Sequence, residues 1–401
     1  MSSRPLRILV VHNRYRTGQP SGEDRVVDQE AAVLAGAGHH VTTFERRSDD
    51  IASMSIPGKA AVALRVPWSP PSRRELEARL RDERPDIVHL HNTFPLISPA
   101  AVAACAAVGI PAVATLHNYW QVCPSGTLYR AGGVCTACTH RLPLPAIRHG
   151  CYRGSRVATA PLAVTTLVNR RVTWPGVTRF FCVSGAQRQV LVDAGMPAER
   201  LIVKHNFVPD PGMRRAGPGE HVLYLGRMTE DKGLRVLMHA WDRVRASGGL
   251  GVPLVLAGTG PLEQELMEWA RGRSDVRHLG MLSRARCTDL MSRATAVVAP
   301  SNWLETFGLV VVEAMAAAVP AVAPAHGAFT ELIRDGVTGL LHRPGDPGSL
   351  AAALRRIVDP ELNAAMGAAA RRCYQHRFSP EVGLAALIAG YEAAICAARL
   401  G

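Results

Sequence analysis

The chain has 401 residues, 47% of them hydrophobic and 20% charged, and its formal net charge is +13. This length and composition favour two or more globular domains and exclude a disordered chain. No apolar segment is long and uninterrupted enough to predict a bilayer span, and the N-terminus lacks the layout of a signal peptide. We therefore expect a cytoplasmic protein whose nine cysteines are reduced.

Strands and helices alternate along the first part of the chain. Residues 6–13 form a short apolar run typical of a buried parallel strand, and residues 23–39 have the acidic first turn and apolar spacing of a helix. Further strands are predicted at 39–45, 86–92 and 111–118, and a charged helix at 71–86. This alternation predicts a doubly wound α/β domain.

The alternation stops between about 119 and 160, where no periodicity is visible. This segment holds Cys123, Cys135, Cys138 and Cys151, which include a C-x-x-C pair. Such a set in a cytosolic chain suits a structural, tetrahedral zinc ion, and the segment needs a source of order other than an apolar core. The alternative is four reduced thiols in a loop. The other five cysteines lie in apolar contexts and are expected in the core.

The alternation resumes near residue 179, and a second α/β series begins near residue 222 after a segment rich in Pro and Gly. We expect one domain over 1–206, with an insert at 119–160 and a C-terminal helix at 380–401 that completes it, a linker at 207–221, and a second domain over 207–379.

The positive charge is concentrated in the first of these domains. Residues 1–200 hold 24 Lys and Arg against 14 Asp and Glu, a net charge of +10, whereas residues 201–401 hold 22 against 19, a net charge of +3. A basic half indicates an anionic partner such as a membrane surface, a phosphorylated ligand or nucleic acid. A codon bias towards Arg would give the same excess without a function.

Distinctive residues of the second domain follow its predicted strands, where ligands bind in open parallel sheets. Arg227 and Lys232 come after one strand. The planar guanidinium of arginine and the compact ammonium of lysine both bind phosphate well. Gly258 and Gly260 follow the next strand. Several such loops in register predict a phosphorylated ligand.

A third strand leads into SNWLETFGLVVVEAM, in which Glu305 and Glu313 bracket an apolar run. A buried carboxylate is costly unless it is paired or hydrogen-bonded, so both residues are expected either at the surface or in a pocket. The backbone amides of residues 306–308 would lie at a helix N-terminus, which is an anion site.

The segments LGRMTEDKGLRVLMHAW, LVLAGTGPLEQEL and SNWLETFGLVVVEAMAAAVPAVA, in this order, resemble the donor half of a family 4 glycosyltransferase. The spacing of Glu305 and Glu313 matches the E-x7-E signature of that family, and PDIVHLHN and AVATLHNYW resemble its acceptor-side strands. The resemblance implies the GT-B architecture, in which two Rossmann-like, doubly wound parallel-sheet α/β domains face each other across a cleft. It also implies retaining transfer from a nucleotide-diphosphate sugar.

Residue roles follow from the same resemblance. Arg227 and Lys232 would bind the donor diphosphate, Glu305 the donor-sugar hydroxyls, and Glu313 the nucleotide ribose. His117 matches a histidine that faces the reaction centre, whereas His91 is expected to be satisfied by local backbone. The predicted catalytic residues are therefore His117, Arg227, Lys232 and Glu305, and the predicted donor-binding residues are Gly18, Gly22, Gly260, Ser301, Thr306, Phe307, Gly308, Leu309 and Glu313.

Gly18 and Gly22 share one prediction, because either glycine matches the first-loop residue that lets the backbone approach the phosphates. The chain has no D-x-D pair, so we expect no catalytic divalent metal, with Arg and Lys in its place. The resemblance implies a front-face reaction in which the departing phosphate takes the proton of the acceptor.

The acceptor is expected to be a soluble small molecule or a lipid-linked one. The insert is basic and has no acidic residue from Tyr119 to Arg156, which favours peripheral contact with an anionic membrane at its inner face. Two other interpretations stay open. One is a basic nucleic-acid-binding protein, although no binding module is visible and we expect no nucleic-acid partner. The other is an inactive zinc-containing scaffold, against which the intact donor-side residues argue.

Overall fold

A computed structural model describes residues 4–17 and 21–400, with the side chain of residue 400 left out. The chain divides into two compact units. We call them the N-terminal unit, with Met1–Leu128, Cys135–Asn206 and Pro380–Gly401, and the C-terminal unit, with Tyr129–Val134 and Phe207–Ser379.

The N-terminal unit is built on a six-stranded parallel sheet in the order β2-β1-β3-β4-β7-β8. Its strands are β1 (Arg7–Arg14), β2 (His40–Arg47), β3 (Ile87–Leu90), β4 (Ala112–Leu116), β7 (Arg179–Cys182) and β8 (Leu201–Val203), and a short hairpin, β5 (Tyr129–Arg130) and β6 (Gly133–Val134), lies between β4 and β7 in the sequence. Its helices are α1 (Gly22–Gly36), α2 (Asp50–Ser53), α3 (Ile56–Arg65), α4 (Pro70–Glu83), α5 (Ala100–Val108), α6 (Leu144–His149), α7 (Arg156–Val168), α8 (Trp174–Gly176) and α9 (Gly185–Asp193). A π-helical turn, Asn169–Thr173, joins α7 to α8.

Strands β1, β3 and β4 are neighbours in this sheet and run parallel. All residues of β3 and β4 are buried, as expected for strands covered on both faces. Because the three strands end at the same sheet edge, the residues that follow them come together there. His12, near the end of β1, His91 and His117 all lie at this edge.

The C-terminal unit has a second six-stranded parallel sheet, in the order β11-β10-β9-β12-β13-β14. Its strands are β9 (His221–Leu225), β10 (Leu254–Ala257), β11 (Val276–His278), β12 (Ala294–Val298), β13 (Ala321–Pro324) and β14 (Gly339–His342). Its helices are α10 (Leu234–Ala246), α11 (Glu263–Ala270), α12 (Arg284–Ser292), α13 (Leu309–Ala316), α14 (Phe329–Leu332), α15 (Pro347–Ile357) and α16 (Pro360–Arg377). The central strand β9 lies between β10 and β12, so the loops after these three strands converge at one edge.

The predicted doubly wound α/β class is confirmed in both units. Helix α10 in the core of the C-terminal unit shows why the hydrophobic pattern of the sequence predicts the fold. Its apolar residues lie on one buried face, and Trp241 on that face is 1% exposed. Trp241 Nε1 still donates to Asp275 over 3.0 Å, so its one polar group is satisfied at burial.

The last helix, α17 (Pro380–Leu400), belongs to the N-terminal unit, whereas α16 before it belongs to the C-terminal unit. Together α16 and α17 are long and apolar enough to span a bilayer by length and composition, contrary to our expectation that no segment is. Leu387 and Tyr391 of α17 are nevertheless fully buried in the protein. Gly390 brings α17 close to β7, because a Cβ at this position would lie 2.5 Å from Phe181.

Two segments contain more structure than the sequence pattern indicates. The aperiodic insert holds the β5–β6 hairpin, α6 and the start of α7, where Ser155 caps the helix by accepting from the amide of Ala158. The predicted linker is irregular but fixed to α16, because Asp210 pairs with Arg371 and the Val208 carbonyl accepts from Tyr374.

Candidate active site

Glu305 is the centre of a polar cluster in the C-terminal unit. It is 9% exposed, and its Oε2 accepts from Lys232 Nζ at 2.7 Å, Ser301 Oγ at 3.1 Å and Trp303 Nε1 at 3.0 Å. Lys232 Nζ also lies 5.0 Å from the centre of the Trp303 ring, within the range of a cation–π contact. A buried carboxylate with one cation and two neutral donors is compensated, so Glu305 does not lie at the surface, which was one of our two alternatives.

Arg227 and Lys232 lie in the same loop but differ in exposure. The Arg227 side chain is 64% exposed and its guanidinium is 3.8 Å from Asp231, whereas Lys232 is engaged with Glu305. The Tyr224 hydroxyl donates to the Arg227 carbonyl over 2.7 Å and fixes the start of the loop. The loop therefore presents one solvent-facing cation and one cation held by a carboxylate.

Gly258 and Gly260 allow the loops after β9 and β10 to touch. Gly258 has φ of +132°, and a Cβ there would lie 2.0 Å from the Gly226 carbonyl oxygen. A Cβ at Gly260 would lie 2.5 Å from the Met228 carbonyl oxygen. Packing alone thus requires glycine at both positions, which is a different reason from the donor contact predicted for Gly260.

The segment between the two signature glutamates is part loop and part helix. Helix α13 begins at Leu309, and its N-cap is Gly308 with φ of +91°. Glu305 lies in the preceding loop and Glu313 on the helix, where it is half-buried. Glycine is required at position 308 for two reasons. Its backbone is left-handed, and a Cβ there would lie 2.7 Å from the Phe329 ring.

The amides predicted as an anion site belong to buried residues. Thr306 and Phe307 are 5% and 2% exposed, and the Phe307 ring packs edge-on against Phe378 at 5.9 Å. Leu309 is half-buried at the start of α13. These residues shape the loop that holds Glu305.

Four histidines meet at the sheet edge of the N-terminal unit. His117 Nε2 is 3.0 Å from His91 Nδ1, and the two rings stack with centres 5.3 Å apart. The His89 ring lies 4.0 Å from that of His91, and His12 Nε2 is 2.7 Å from Asp24 Oδ1. The His91 ring therefore pairs with another side chain, so our expectation that local backbone satisfies it was wrong.

Burial lowers the pKa of His89, His91 and His117 well below the usual value for histidine, and the nearby charge of Lys204 lowers each further. All three imidazoles are consequently neutral at physiological pH.

A small cavity opens beside these histidines. His91 and His117 line it, together with Glu23, Asn118 and Trp120. Asn118 Nδ2 donates to Glu23 Oε1 over 2.7 Å, and burial raises the pKa of Glu23 despite hydrogen bonds from Asn118 and Tyr15. Sequence reasoning missed Glu23 because an acidic residue in a first helical turn is ordinary.

The two first-loop glycines differ in what the structure shows. Gly18 lies outside the described residues. Gly22 is the first residue of α1, where Ser21 caps the helix by accepting from the amide of Glu23 over 3.1 Å. Gly22 therefore begins a capped helix whose first turn faces the histidine edge through Glu23.

The predicted zinc site is not supported. Among the described residues, the cysteine sulfurs form no group compact enough to hold a metal ion, and the group that does lie within 4.8 Å is Glu30, His89 and His91. Burial raises the pKa of the Cys138 thiol to about 11, and the other three cysteines of the insert raise it further. The four residues are thus neighbours without ligand geometry.

Arginine supplies part of the order that zinc was expected to give. Arg170 Nη2 donates to the Cys138 and Thr139 carbonyls, and Nη1 to the Arg141 carbonyl. Of the five cysteines outside the insert that we expected in the core, Cys105 and Cys182 are buried, Cys287 and Cys373 are half-buried, and Cys396 is exposed.

Two doubly wound parallel-sheet units, with a cationic loop and a partly buried Lys–Glu pair at the strand ends of the second, define a GT-B glycosyltransferase. Residues 20–210 match the profile described as Glycosyltransferase Family 4, and residues 219–359 that described as Glycosyl transferases group 1. The chain belongs to glycosyltransferase family 4, as the sequence predicts.

Curated relatives extend over most of the chain. A glycogen synthase of Mycobacterium tuberculosis is 30% identical, with 92% of this chain and 89% of the relative covered. A phosphatidyl-myo-inositol mannosyltransferase of Mycobacterium leprae is also 30% identical, with 90% and 91% covered. The similarity to glycosyltransferases thus extends over nine-tenths of the chain.

Solved structures share the fold at low identity. Sucrose-phosphate synthase from Thermosynechococcus elongatus has a TM-score of 0.71 at 18% identity, covering 97% of this chain and 99% of that one. HepE of Anabaena, in complex with UDP and glucose, has a TM-score of 0.66 at 18% identity, covering 96% and 98%.

Proposed function

We propose that this glycosyltransferase moves a sugar from a nucleoside-diphosphate sugar to an acceptor hydroxyl with retention of configuration. The observation that carries the proposal is the hydrogen bond between Lys232 and Glu305. Lysine is a residue type that binds phosphate and glutamate is one that binds hydroxyls, and these two lie together at the ends of the strands. Arg227, exposed in the same loop, provides a second cation for the diphosphate. The solved HepE complexes with UDP support a donor of this class.

In this proposal Glu305 binds hydroxyls of the donor sugar and Glu313 binds the ribose. The bond between the anomeric carbon and the diphosphate oxygen breaks, and a bond from that carbon to the acceptor oxygen forms. The departing phosphate takes the acceptor proton, and Arg227 with Lys232 stabilises the charge that grows on it. His117 hydrogen-bonds the donor sugar, and the two cations take the place of a catalytic divalent ion.

The experiment is a donor screen. Thermal unfolding is measured with UDP-, GDP-, ADP- and TDP-sugars, followed by nucleotide release and NMR of the product anomer. We expect one base to raise the unfolding temperature and the product to keep the donor configuration. Stabilisation by none of these donors, or an inverted product, would contradict the proposal.

We further propose that the protein works as a cytoplasmic, peripheral enzyme at an anionic membrane and takes a lipid-linked acceptor. Helix α3 supports this, because none of its residues, all of them described, is buried. Ile56 and Leu64 of α3 are 85% and 80% exposed. Helix α7 contacts both α3 and α6, and it exposes Val157, while Leu144 is exposed on α6.

We name this set the apolar–basic surface and define it as Ile56, Leu64, Leu144, Val157 and the exposed basic residues Lys59, Arg65, Arg148, Arg153 and Arg156.

Its charge is of one sign along the sequence. No acidic residue occurs from 51 to 74 or from 119 to 192, the segments that supply the surface. Apolar side chains among cations suit the interface of an anionic bilayer. The phosphatidyl-myo-inositol mannosyltransferases among the relatives support a lipid-linked acceptor. The alternative, a soluble acceptor, would give no role to the exposed apolar side chains of α3.

A further inference from the structure

A buried chain of side chains leads from an ion pair to His117 in the N-terminal unit. Lys204 donates to Glu30 Oε1, and both side chains are almost fully buried. Glu30 Oε2 lies 3.8 Å from His91 Nε2, and His91 Nδ1 lies 3.0 Å from His117 Nε2. Neither Glu30 Oε2 nor His91 Nε2 has a hydrogen-bond partner among the residues described.

The proton position on His91 follows from this arrangement. A neutral imidazole carries one ring proton, on either nitrogen. If Nε2 held a lone pair, it would face the Glu30 carboxylate at 3.8 Å in a buried, low-dielectric site, which is repulsive. A proton on Nε2 is instead attracted by the carboxylate. His91 is therefore protonated at Nε2, and its Nδ1 is an acceptor.

The same logic extends one residue further. His91 Nδ1 can accept only if His117 Nε2 donates, because the 3.0 Å contact needs one proton between the two nitrogens. The neutral His117 then has no second proton, so its Nδ1 is the acceptor atom of the ring.

We propose that Glu30, oriented by Lys204, is a positioning residue that sets the tautomer of His117 through His91. This inference rests on the proposed role of His117 in transfer, since the tautomer decides which ring atom offers an acceptor to a hydroxyl. Glu30 and Lys204 do not line the cavity themselves and act through His91 and His117, which do.

Glu30→Gln is a sharp test because Lys204 dictates the orientation of the new amide. The amide oxygen must accept from Lys204, so the NH₂ group replaces Oε2 and faces both His91 Nε2 and His89 Nδ1, each of which lies 3.8 Å from Oε2 in the wild type. His91 Nε2 must then accept, His91 Nδ1 must donate, and His117 must shift its proton from Nε2 to Nδ1. One isosteric substitution is therefore expected to reverse both tautomers.

The readout is ¹⁵N NMR of ring-labelled histidine in the full chain, with His117 assigned from the His117→Asn variant. The wild type should show a protonated Nε2 on His117, and Glu30→Gln a protonated Nδ1. Tyr391→Phe is the matched control, because it removes a buried hydroxyl 2.7 Å from His89 Nδ1 and lies outside the chain to His117. It should leave the His117 tautomer unchanged.

Kinetics provide the second readout. Glu30→Gln should lower kcat by roughly 10- to 100-fold with little change in donor KM, by analogy with residues that orient the ligands of a metal ion from outside the site. If this variant does not fold because Lys204 is left unpaired, Glu30→Gln with Lys204→Met restores the charge balance, and His117 should then show a mixture of tautomers. An identical His117 tautomer in the wild type and in the folded variant would overturn the inference. Reversed tautomers with unchanged kcat would instead overturn the proposed role of His117 alone.

Discussion

Lys232 Nζ donates to Glu305 Oε2 over 2.7 Å, so the proposed phosphate ligand and the proposed sugar ligand are bonded to each other before any donor arrives. An ammonium has three protons, and this contact uses one of them. Lys232 can therefore contact phosphate without releasing Glu305. In the proposed function, the pair would fix the distance between the phosphate and the sugar of the donor.

Replacing either cation of this loop should reduce transfer. We expect Arg227→Ala and Lys232→Ala each to lower kcat by about 100-fold or more, the effect of removing one donor that stabilises transition-state charge. Arg293→Ala is the matched control, because Arg293 is an exposed arginine of the same unit that pairs with Glu220. Normal turnover in both loop variants, measured as nucleotide release, would exclude the phosphate assignment.

Trp303→Phe separates hydrogen bonding from the aromatic contact. The variant removes the Nε1 donor to Glu305 and keeps a ring near Lys232. We expect a loss of about 1–3 kcal/mol in the free energy of unfolding, the cost of under-satisfying a buried polar group. Urea unfolding measures it. Trp269→Phe removes a similar indole donor, to Asp242, and a loss no larger than in that control would show that the Glu305 contact has no special weight.

The buried histidines should make the protein less stable as the pH falls. Their pKa values are lower in the folded chain than in the unfolded chain, where histidine titrates near about 6.5. Below that pH the unfolded chain binds more protons, so stability is retained above it and lost as the pH falls towards the folded pKa values.

His89→Gln tests the sign of this dependence. Glutamine can replace the contacts of His89 with Tyr391 and Thr115, which are 2.7 and 2.8 Å long. The proton uptake on unfolding should be nearly unchanged in the variant at pH 7.5 and lower by about one per chain at pH 5.5. An unchanged slope of unfolding free energy against pH would show that His89 does not stay neutral in the fold.

Thiol reactivity should follow burial. Burial raises the pKa values of Cys105 and Cys182 to about 12, and that of Cys138 to about 11, so the reactive thiolate is scarce at neutral pH. Cys396 is exposed. Under native alkylation, mass spectrometry should show Cys396 modified first and the other three last. Early modification of Cys138 would mean that the insert opens in solution.

The apolar–basic surface should bind anionic vesicles in a salt-dependent way. Each cation near such a surface contributes up to about 1 kcal/mol, so binding is reversible. We expect co-sedimentation with phosphatidylglycerol vesicles, little with phosphatidylcholine, and weakening as salt rises. Ile56→Ser with Leu64→Ser should reduce it, whereas Met267→Ser, an exposed apolar residue of the C-terminal unit, should not. Negligible binding to both vesicle types at low salt would favour a soluble acceptor.

The strands were predictable because buried parallel strands are short continuous apolar runs, as in β1 and β4, and because acidic first turns mark helices such as α1. The Lys232–Glu305 pair could be predicted from the sequence only in part. Each residue was found from its motif, but their bond depends on a loop that holds Glu305 before α13 begins. Gly308 adopts a left-handed conformation immediately before α13, so the helix begins only at Leu309. A glycine in the sequence permits this conformation but does not predict it.

The insert and the histidine chain could not be read in the same way. The insert is ordered by contacts such as those of Arg170 with backbone carbonyls, and these have no period in sequence. Glu30 looked like one more polar residue of an amphipathic helix. Its contact with Lys204 joins residues 174 positions apart, which no local pattern contains.

The return of α17 to the N-terminal unit has a consequence for biosynthesis. Tyr391, fully buried, bonds to His89 and packs against Phe181 with ring centres 6.1 Å apart, so the core beside the histidine edge is finished by residues translated after the whole C-terminal unit. During translation the N-terminal unit has an incomplete apolar core beside β4 and β7 until α17 is synthesised. The C-terminal unit does not depend on α17 and can fold earlier. The order of synthesis and the order of completion are therefore reversed, and premature termination near residue 380 would release a chain whose first unit lacks part of its core.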